Sequence, residues 1–137
     1  MVTNIAGCAF IESFEGCKYS TYLDIKGIPT IGVGHRLLPG ESYPNGITPA
    51  QADTLLSHDV GVVDNFLTHY CPTLTQNQHN ALADFGFNLG VGNLHLLISH
   101  GLDQIPVQLL KWDHAGAVEV EALEKRRAAE VALWNKG

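Results

Sequence analysis

Apolar residues in the first fifteen positions recur at helical spacing. Phe10 and Phe14 stand one turn apart, with Ile5, Cys8 and Ile11 beside them. This pattern predicts an amphipathic or largely buried helix over residues 4–15, capped by Thr3 or Asn4 and stopped at Gly16. From 17 to 35 the character changes. Tyr19, Thr21, Tyr22, Ile28, Thr30, Ile31 and Val33 favour strands, and Asp24 to Gly27 interrupts them as a hairpin turn would. A small antiparallel sheet is expected there, followed by a loop through Pro39-Gly40 and Pro44-Asn45-Gly46.

Helical periodicity returns at Thr48-Pro49, a cap followed by a first-turn proline, and runs through Leu55, Leu56, Val60, Val63 and Leu67 to about His69. Pro72 ends it. Thr75 to Gln78 has the form of a capping box, and Ala81, Leu82, Phe85 and Leu89 line the next helix, which Gly90-Val91-Gly92 should close. A short helix is expected over 94–100, another from Pro106 carrying Leu109, Leu110 and Trp112, and a last one over 120–134 with Leu123, Ala128, Val131 and Trp134 inward. Trp112 and Trp134 are expected in the core. The fold class is therefore α+β: a single domain over 1–137, with a sheet lobe at about 17–47 inserted after the first helix and a helical body of 1–16 and 48–137.

Composition narrows the function. The 137 residues are 45% hydrophobic and 16% charged, which suits one packed domain and argues against disorder. A formal charge of -6, with Lys125-Arg126-Arg127 as the only tight basic cluster, argues against a nucleic-acid partner. Binding must come from a cleft. No apolar run approaches the roughly 20 residues needed to span a bilayer. The first basic residue is Lys18, so no secretory signal is expected. Ile5-Ala6-Gly7-Cys8 resembles a lipoprotein cleavage box without the necessary hydrophobic lead-in. Cys8, Cys17 and Cys71 are odd in number and suit buried thiols better than a disulfide scaffold. His58, His69, His79, His100 and His114 form no ligand spacing, so neither metal nor other cofactor is expected.

Candidate chemistry gathers early in the chain. Glu15 falls at the end of the first helix, Asp24 in the hairpin turn and Thr30 in the returning strand. Cleaving a glycosidic bond takes a proton donor for the leaving oxygen and a second carboxylate on the opposite face. A carboxyl partly walled by apolar residues can stay protonated near neutrality, which suits Glu15, whereas Asp24 on a solvated turn would stay ionised. Structural ion pairs also put acids near clefts.

The blocks Phe14-Glu15-Gly16, Tyr22-Leu23-Asp24 and Thr30-Ile31-Gly32-Val33-Gly34-His35 carry a resemblance. With Ile47 to Ala52, His58-Asp59-Val60, Leu74 to Gln78, Phe87 to Gly92 and Arg126 to Trp134, they resemble the bacteriophage-type lysozymes, the endolysins of glycoside hydrolase family 24. The match spans nearly the whole chain in order. It implies a lysozyme-like fold with a cleft between sheet and helices. It implies Glu15 as general acid, with Asp24 and Thr30 positioning the water that attacks the β-1,4 bond between N-acetylmuramic acid and N-acetylglucosamine. Inversion of the anomeric centre is expected, although a covalent route through Asp24 stays open.

Other positions follow from the same resemblance. His35 and Asp59 match a structural salt bridge, and Phe87 and Asn88 match cleft-wall positions, Asn88 for an acetamido group, Phe87 equally for core packing. Arg126 or Arg127 would pair with the acid, the other being a solvated helix charge. Gly32 and Gly34 would let backbone approach sugar or form a hinge, a strand bulge being the plainer alternative. Relatives often carry further glycines where this chain has Ala115 to Leu123, many are basic where this chain is acidic, and the segment from Gly92 to Trp112 is shorter than usual. The expected partner is the peptidoglycan glycan strand, met by a monomer released from the host cytoplasm. A transglycosylase, a chitinase-like enzyme and an inactive wall-binding module are the competing functions.

Overall fold

The computed structural model describes residues 1–115 and 118–137. Within the glycine-poor stretch 115–123, Gly116 and Ala117 lie outside the described residues. The first helix, α1 (Ile5–Glu15), is capped by Asn4, whose side chain accepts from Gly7 N at 3.0 Å. Thr3 is not the cap. Its N–H and hydroxyl both donate to Asp64, tying the first residues to the next long helix. Gly16 stops α1 at φ 70, left-handed backbone that favours glycine, and its N–H returns to Glu12 O. Glu15 is thus the last helical residue, presented where the chain turns away.

Strands β1 (Lys18–Leu23), β2 (Pro29–Gly32) and β3 (His35–Arg36) pair antiparallel in the order β1-β2-β3. The register sets Tyr22 opposite Thr30 and Thr30 opposite Arg36, with an irregularity between Lys18 and Tyr22. Ile31 buries under the sheet with Ile47 and Ala52, and Val33 packs with Ile11, Leu56 and Val60. These two small clusters fasten the sheet to α1 and to α2 (Pro49–Tyr70). Thr48 and Gln51 cap α2 reciprocally, and Thr75 and Gln78 do the same for α3 (Gln76–Leu89).

Helix α3 is the centre of the helical part. Every residue from His79 to Gly86 is buried, because α1, α2 and the later helices α4 (Val91–Ile98) and α6 (Glu121–Asn135) all pack around it. Its core cluster takes Leu67, Leu82, Phe85, Leu94, Leu97, Ile105, Leu109 and Trp134, with Trp112 half-buried edge-on to Phe85. The α+β class, a small antiparallel sheet beside helices, is as expected.

The second half departs in detail. Gly90 alone, at φ 88, turns the chain from α3 into α4, so Val91 and Gly92 open a helix instead of closing one. A 3-10 turn (Leu102–Gln104) precedes α5 (Ile105–Leu109), which stops short of Trp112. The two-residue strands β4 (His114–Ala115) and β5 (Val118–Glu119), too short for a periodic signal, pair antiparallel. In α6 the buried face carries Arg126, Arg127 and Glu130 together with Trp134, while Ala128 is exposed. Charged residues occupy inward positions, so an apolar stripe is a poor guide to this helix.

Candidate functional site

A cleft of about 690 Å³ opens between the sheet and the helices, and Glu15, Gly34, His35, Arg36, Asp59, Phe87 and Asn88 are on its wall. Glu15 is partly buried, with 21% of its side chain exposed. Its Oε2 accepts from Arg126 Nη1 at 2.6 Å. The wall expected to be apolar therefore includes a guanidinium, brought from 111 residues away. On the other side Gly34, at φ 61, runs so close that a Cβ there would meet Glu15 Oε1 at 2.9 Å. Glycine at 34 serves the acid's own packing.

Arg126 is shared. Its Nε and Nη2 donate to the two oxygens of Asp84 at 2.9 and 2.8 Å, and its guanidinium stacks 5.1 Å from the Phe14 ring. Burial opposes its charge, but the carboxylates of Asp84 and then Glu15 hold it more firmly protonated than an ordinary arginine. Arg127 takes a different set: Glu130 at 2.7 and 2.9 Å, Asn88 Oδ1 at 2.8 Å and the Phe85 ring. The expectation that one of the two arginines is a solvated charge is thereby corrected. Both are buried, because adjacent helical positions reach different carboxylates of the same interior. Burial, reinforced by Asp84, pushes Glu130 well above the ordinary carboxylate range against the pull of Arg127.

Asp24 sits at the start of the β1–β2 turn. Its Oδ1 accepts from the N–H groups of Ile28 at 2.9 Å and Lys26 at 2.8 Å, and Oδ2 lies 3.5 Å from Arg36 Nε. The Ile28 N–H, then that of Lys26 and the Arg36 charge, hold its pKa below the usual carboxylate value despite some burial. Thr30 is buried and donates its hydroxyl to Ile28 O at 2.8 Å. The Ile28 peptide thus joins the two side chains, its N–H on Asp24 and its C=O on Thr30. Neither lines the cleft directly; Lys26 and Arg36, both contacts of Asp24, do. Tyr22 feels both acids: its phenol pKa is raised by burial and next by the charges of Glu15 and Asp24.

His35 is bonded at both ring nitrogens, Nδ1 to Asp59 at 2.7 Å and Nε2 to Glu41 at 2.8 Å. Burial alone would discharge it, but these two bonds outweigh burial and raise its pKa. Glu41, held by the Leu38 N–H and by His35 and Tyr43, is lowered to about 2. The His35–Asp59 pair is therefore present, with Glu41 as an unforeseen third member. Gly32 lies against Ile47 and Ala52 and does not reach the cleft, as its position at the inner end of β2 dictates. Phe87 is half-buried at the Val33 and Val60 cluster while also lining the cleft, so it occupies both of the positions expected for it.

Sequence reasoning missed Asp84, Glu41 and Glu130. An acid set among Ala81, Leu82, Ala83 and Phe85 was a usable signal for Asp84, since an unpaired carboxylate there would be costly. All three cysteines are free, Cys71 buried and Cys8 and Cys17 half-buried. Among the described residues no helix is long and apolar enough to cross a membrane.

A family model described as phage lysozyme matches residues 12–130. The endolysin of Salmonella phage P22 is 36% identical over 138 residues, covering 93% of this chain and 94% of that one. A crystal structure of a P22 lysozyme mutant superposes with a TM-score of 0.80 at 29% identity, covering 98% of this chain and 99% of the other. The muramidase domain of SpmX from Asticaccaulis excentricus does so at 0.76 and 29% identity, with 96% of both chains covered.

Proposed function

This chain belongs to the phage lysozyme family, a glycoside hydrolase that degrades peptidoglycan, and from that premise we propose its bond, residues and stereochemistry. The bond is the β-1,4 linkage from N-acetylmuramic acid to N-acetylglucosamine. Glu15 is the general acid that protonates the leaving oxygen, and Asp24 and Thr30 hold the attacking water. The observation that carries this is the contrast between the two acids. Asp24 is fixed as an anion by two backbone N–H groups, while Glu15 ends a helix on the cleft wall with one oxygen on Arg126.

Thr30 has its proton committed to Ile28 O, so its oxygen is left to accept a hydrogen bond from water. Asp24, with its lowered pKa, is a weak base but a dependable negative charge beside a developing oxocarbenium ion. Water oriented in this way attacks from the face opposite Glu15, passing its proton by way of Asp24 to solvent as the new C–O bond forms, and the anomeric centre inverts. Asn88 Oδ1 is taken by Arg127, which leaves its amide N–H groups for the carbonyl of an acetamido group. Gly34 contributes by letting the acid sit close to the sheet. The enzyme acts as a single-domain monomer, reaching the wall from the host cytoplasm and lysing the cell.

Glu15→Gln tests the assignment on purified murein. The expected result is loss of clearance with folding intact, and unchanged clearance would refute it. Proton NMR of the first products should show the α-anomer at the new reducing end. Anhydromuropeptides as the main product would move the enzyme to the transglycosylases.

A further inference from the structure

Asp84 has no place in the chemistry described above, yet it is fully buried and its carboxylate takes two of the three nitrogens of the guanidinium that touches Glu15. A two-pronged pair of this kind fixes the plane of the arginine. With Nε and Nη2 committed to Asp84, Nη1 is the nitrogen left for Glu15, and it donates at 2.6 Å. The Phe14 ring packs against the guanidinium, its centroid 5.1 Å from Cζ.

We propose that Asp84 is a positioning residue for hydrolysis, acting on Glu15 through Arg126 by aiming Nη1 and by offsetting the guanidinium's charge. The inference rests on Glu15 being the proton donor. An uncompensated cation in hydrogen-bond contact favours the ionised carboxylate and would hinder the acid from regaining its proton between turnovers. A carboxylate bonded to the same guanidinium turns that cation into a neutral pair, whose field falls off far faster than that of a lone charge. Glu15 therefore keeps a hydrogen-bond donor without facing a full positive charge.

Most charged groups around Glu15 stay the same when Asp84 is changed; the exception is Glu130 behind Arg126, whose raised pKa Asp84 reinforces and which ionises more readily without it. Tyr22 on β1 is within electrostatic reach of Glu15, and Lys26, His35, Arg36, His58 and Asp59 share its cleft wall. Arg127 and Glu130 lie behind Arg126 on α6, paired with each other.

The test is kcat/KM against pH on soluble murein fragments for the full chain and three variants. Asp84→Asn keeps the shape but removes the charge. Its alkaline limb should move to lower pH by about one unit, with roughly a tenfold loss of rate above the limb. Arg126→Gln should move the limb the other way, and the double variant should return towards the parent. A limb for Asp84→Asn that coincides with the parent's overturns the proposal. If that variant does not fold, the double variant, an uncharged amide pair, is compared with Arg126→Gln. The double's limb is expected at lower pH, and identical limbs would show that Asp84's charge does not reach the acid, which also overturns the proposal. Retained activity in Glu15→Gln would instead remove the premise, so the two failures are separable.

Discussion

Arg126 donates to Glu15 at 2.6 Å from a helix that begins more than a hundred residues later in the chain, so the last long element completes a site begun by the first. This closure means that the geometry around Glu15 depends on α6 docking against α3. Local changes in α6 should therefore register at the acid.

Substitutions in the trio should separate by role. Glu15→Gln should lower kcat by about 100-fold to 10,000-fold, the usual contribution of a positioned acid. Thr30→Ala should lower kcat less, and Asp24→Asn should reduce it strongly while leaving KM for murein fragments nearly unchanged. Steady-state kinetics with circular dichroism as a folding control would check this. Full activity in Asp24→Asn would be incompatible with an electrostatic role for that carboxylate.

Gly34 should tolerate no side chain. Its backbone is left-handed at φ 61, which costs an L-residue about 1–2 kcal/mol, and an added Cβ would press on Glu15 Oε1 at 2.9 Å. Gly34→Ala is expected to lower both thermal stability and kcat, whereas Gly27→Ala, at φ 77 with open space around it, should lower stability alone. Equal kcat in the two variants would contradict the close approach at Gly34.

How far the sequence disclosed this arrangement depended on range. Asn4, Thr48 and Thr75 cap helices through bonds three residues away, and the β1–β2 turn is closed by Asp24 on its own Lys26 and Ile28. Such features are written in adjacent letters. Asp84 is 42 residues from Arg126, and no spacing rule connects them. Residue type also misled: Arg126 and Arg127 carry charges that usually seek water, yet buried carboxylates and rings receive both. The resemblance supplied an arginine for Glu15 but not which of the two, because only packing decides which neighbour along α6 faces α1.

The Arg127–Glu130 pair gives a stability prediction distinct from catalysis. Both side chains are fully buried, and Arg127 Nη2 donates to Glu130 Oε2 at 2.9 Å. Burial weakens the ionisation of both partners, yet removing Glu130 still leaves the buried Arg127 guanidinium without its carboxyl acceptor, at a cost of up to about 3–5 kcal/mol. Glu130→Ala should therefore destabilise far more than Lys125→Ala, which breaks only the exposed Lys125–Glu121 contact. Urea denaturation of the two variants would check the ranking. Similar midpoints would mean that the interior pair contributes no more than the surface one.

The His35 cluster should give stability a bounded pH window. His35 has a raised pKa in the fold, so its contribution is complete below the unfolded value of about 6.5 and fades as pH climbs through the folded value. Glu41 is lowered to about 2, so its contribution is complete above the ordinary carboxylate range and is lost as pH falls towards 2. Both are present together between roughly pH 5 and 6.5. Thermal midpoints of the parent should peak in that interval, and His35→Asn should flatten the decline on its alkaline side, because the group that titrates there is gone. Glu41→Gln should flatten the acid side instead, while His35 keeps Asp59 as a partner and the alkaline decline persists in weaker form. A parent profile that is flat from pH 5 to 8 would show that His35 does not gain its proton preferentially in the folded state.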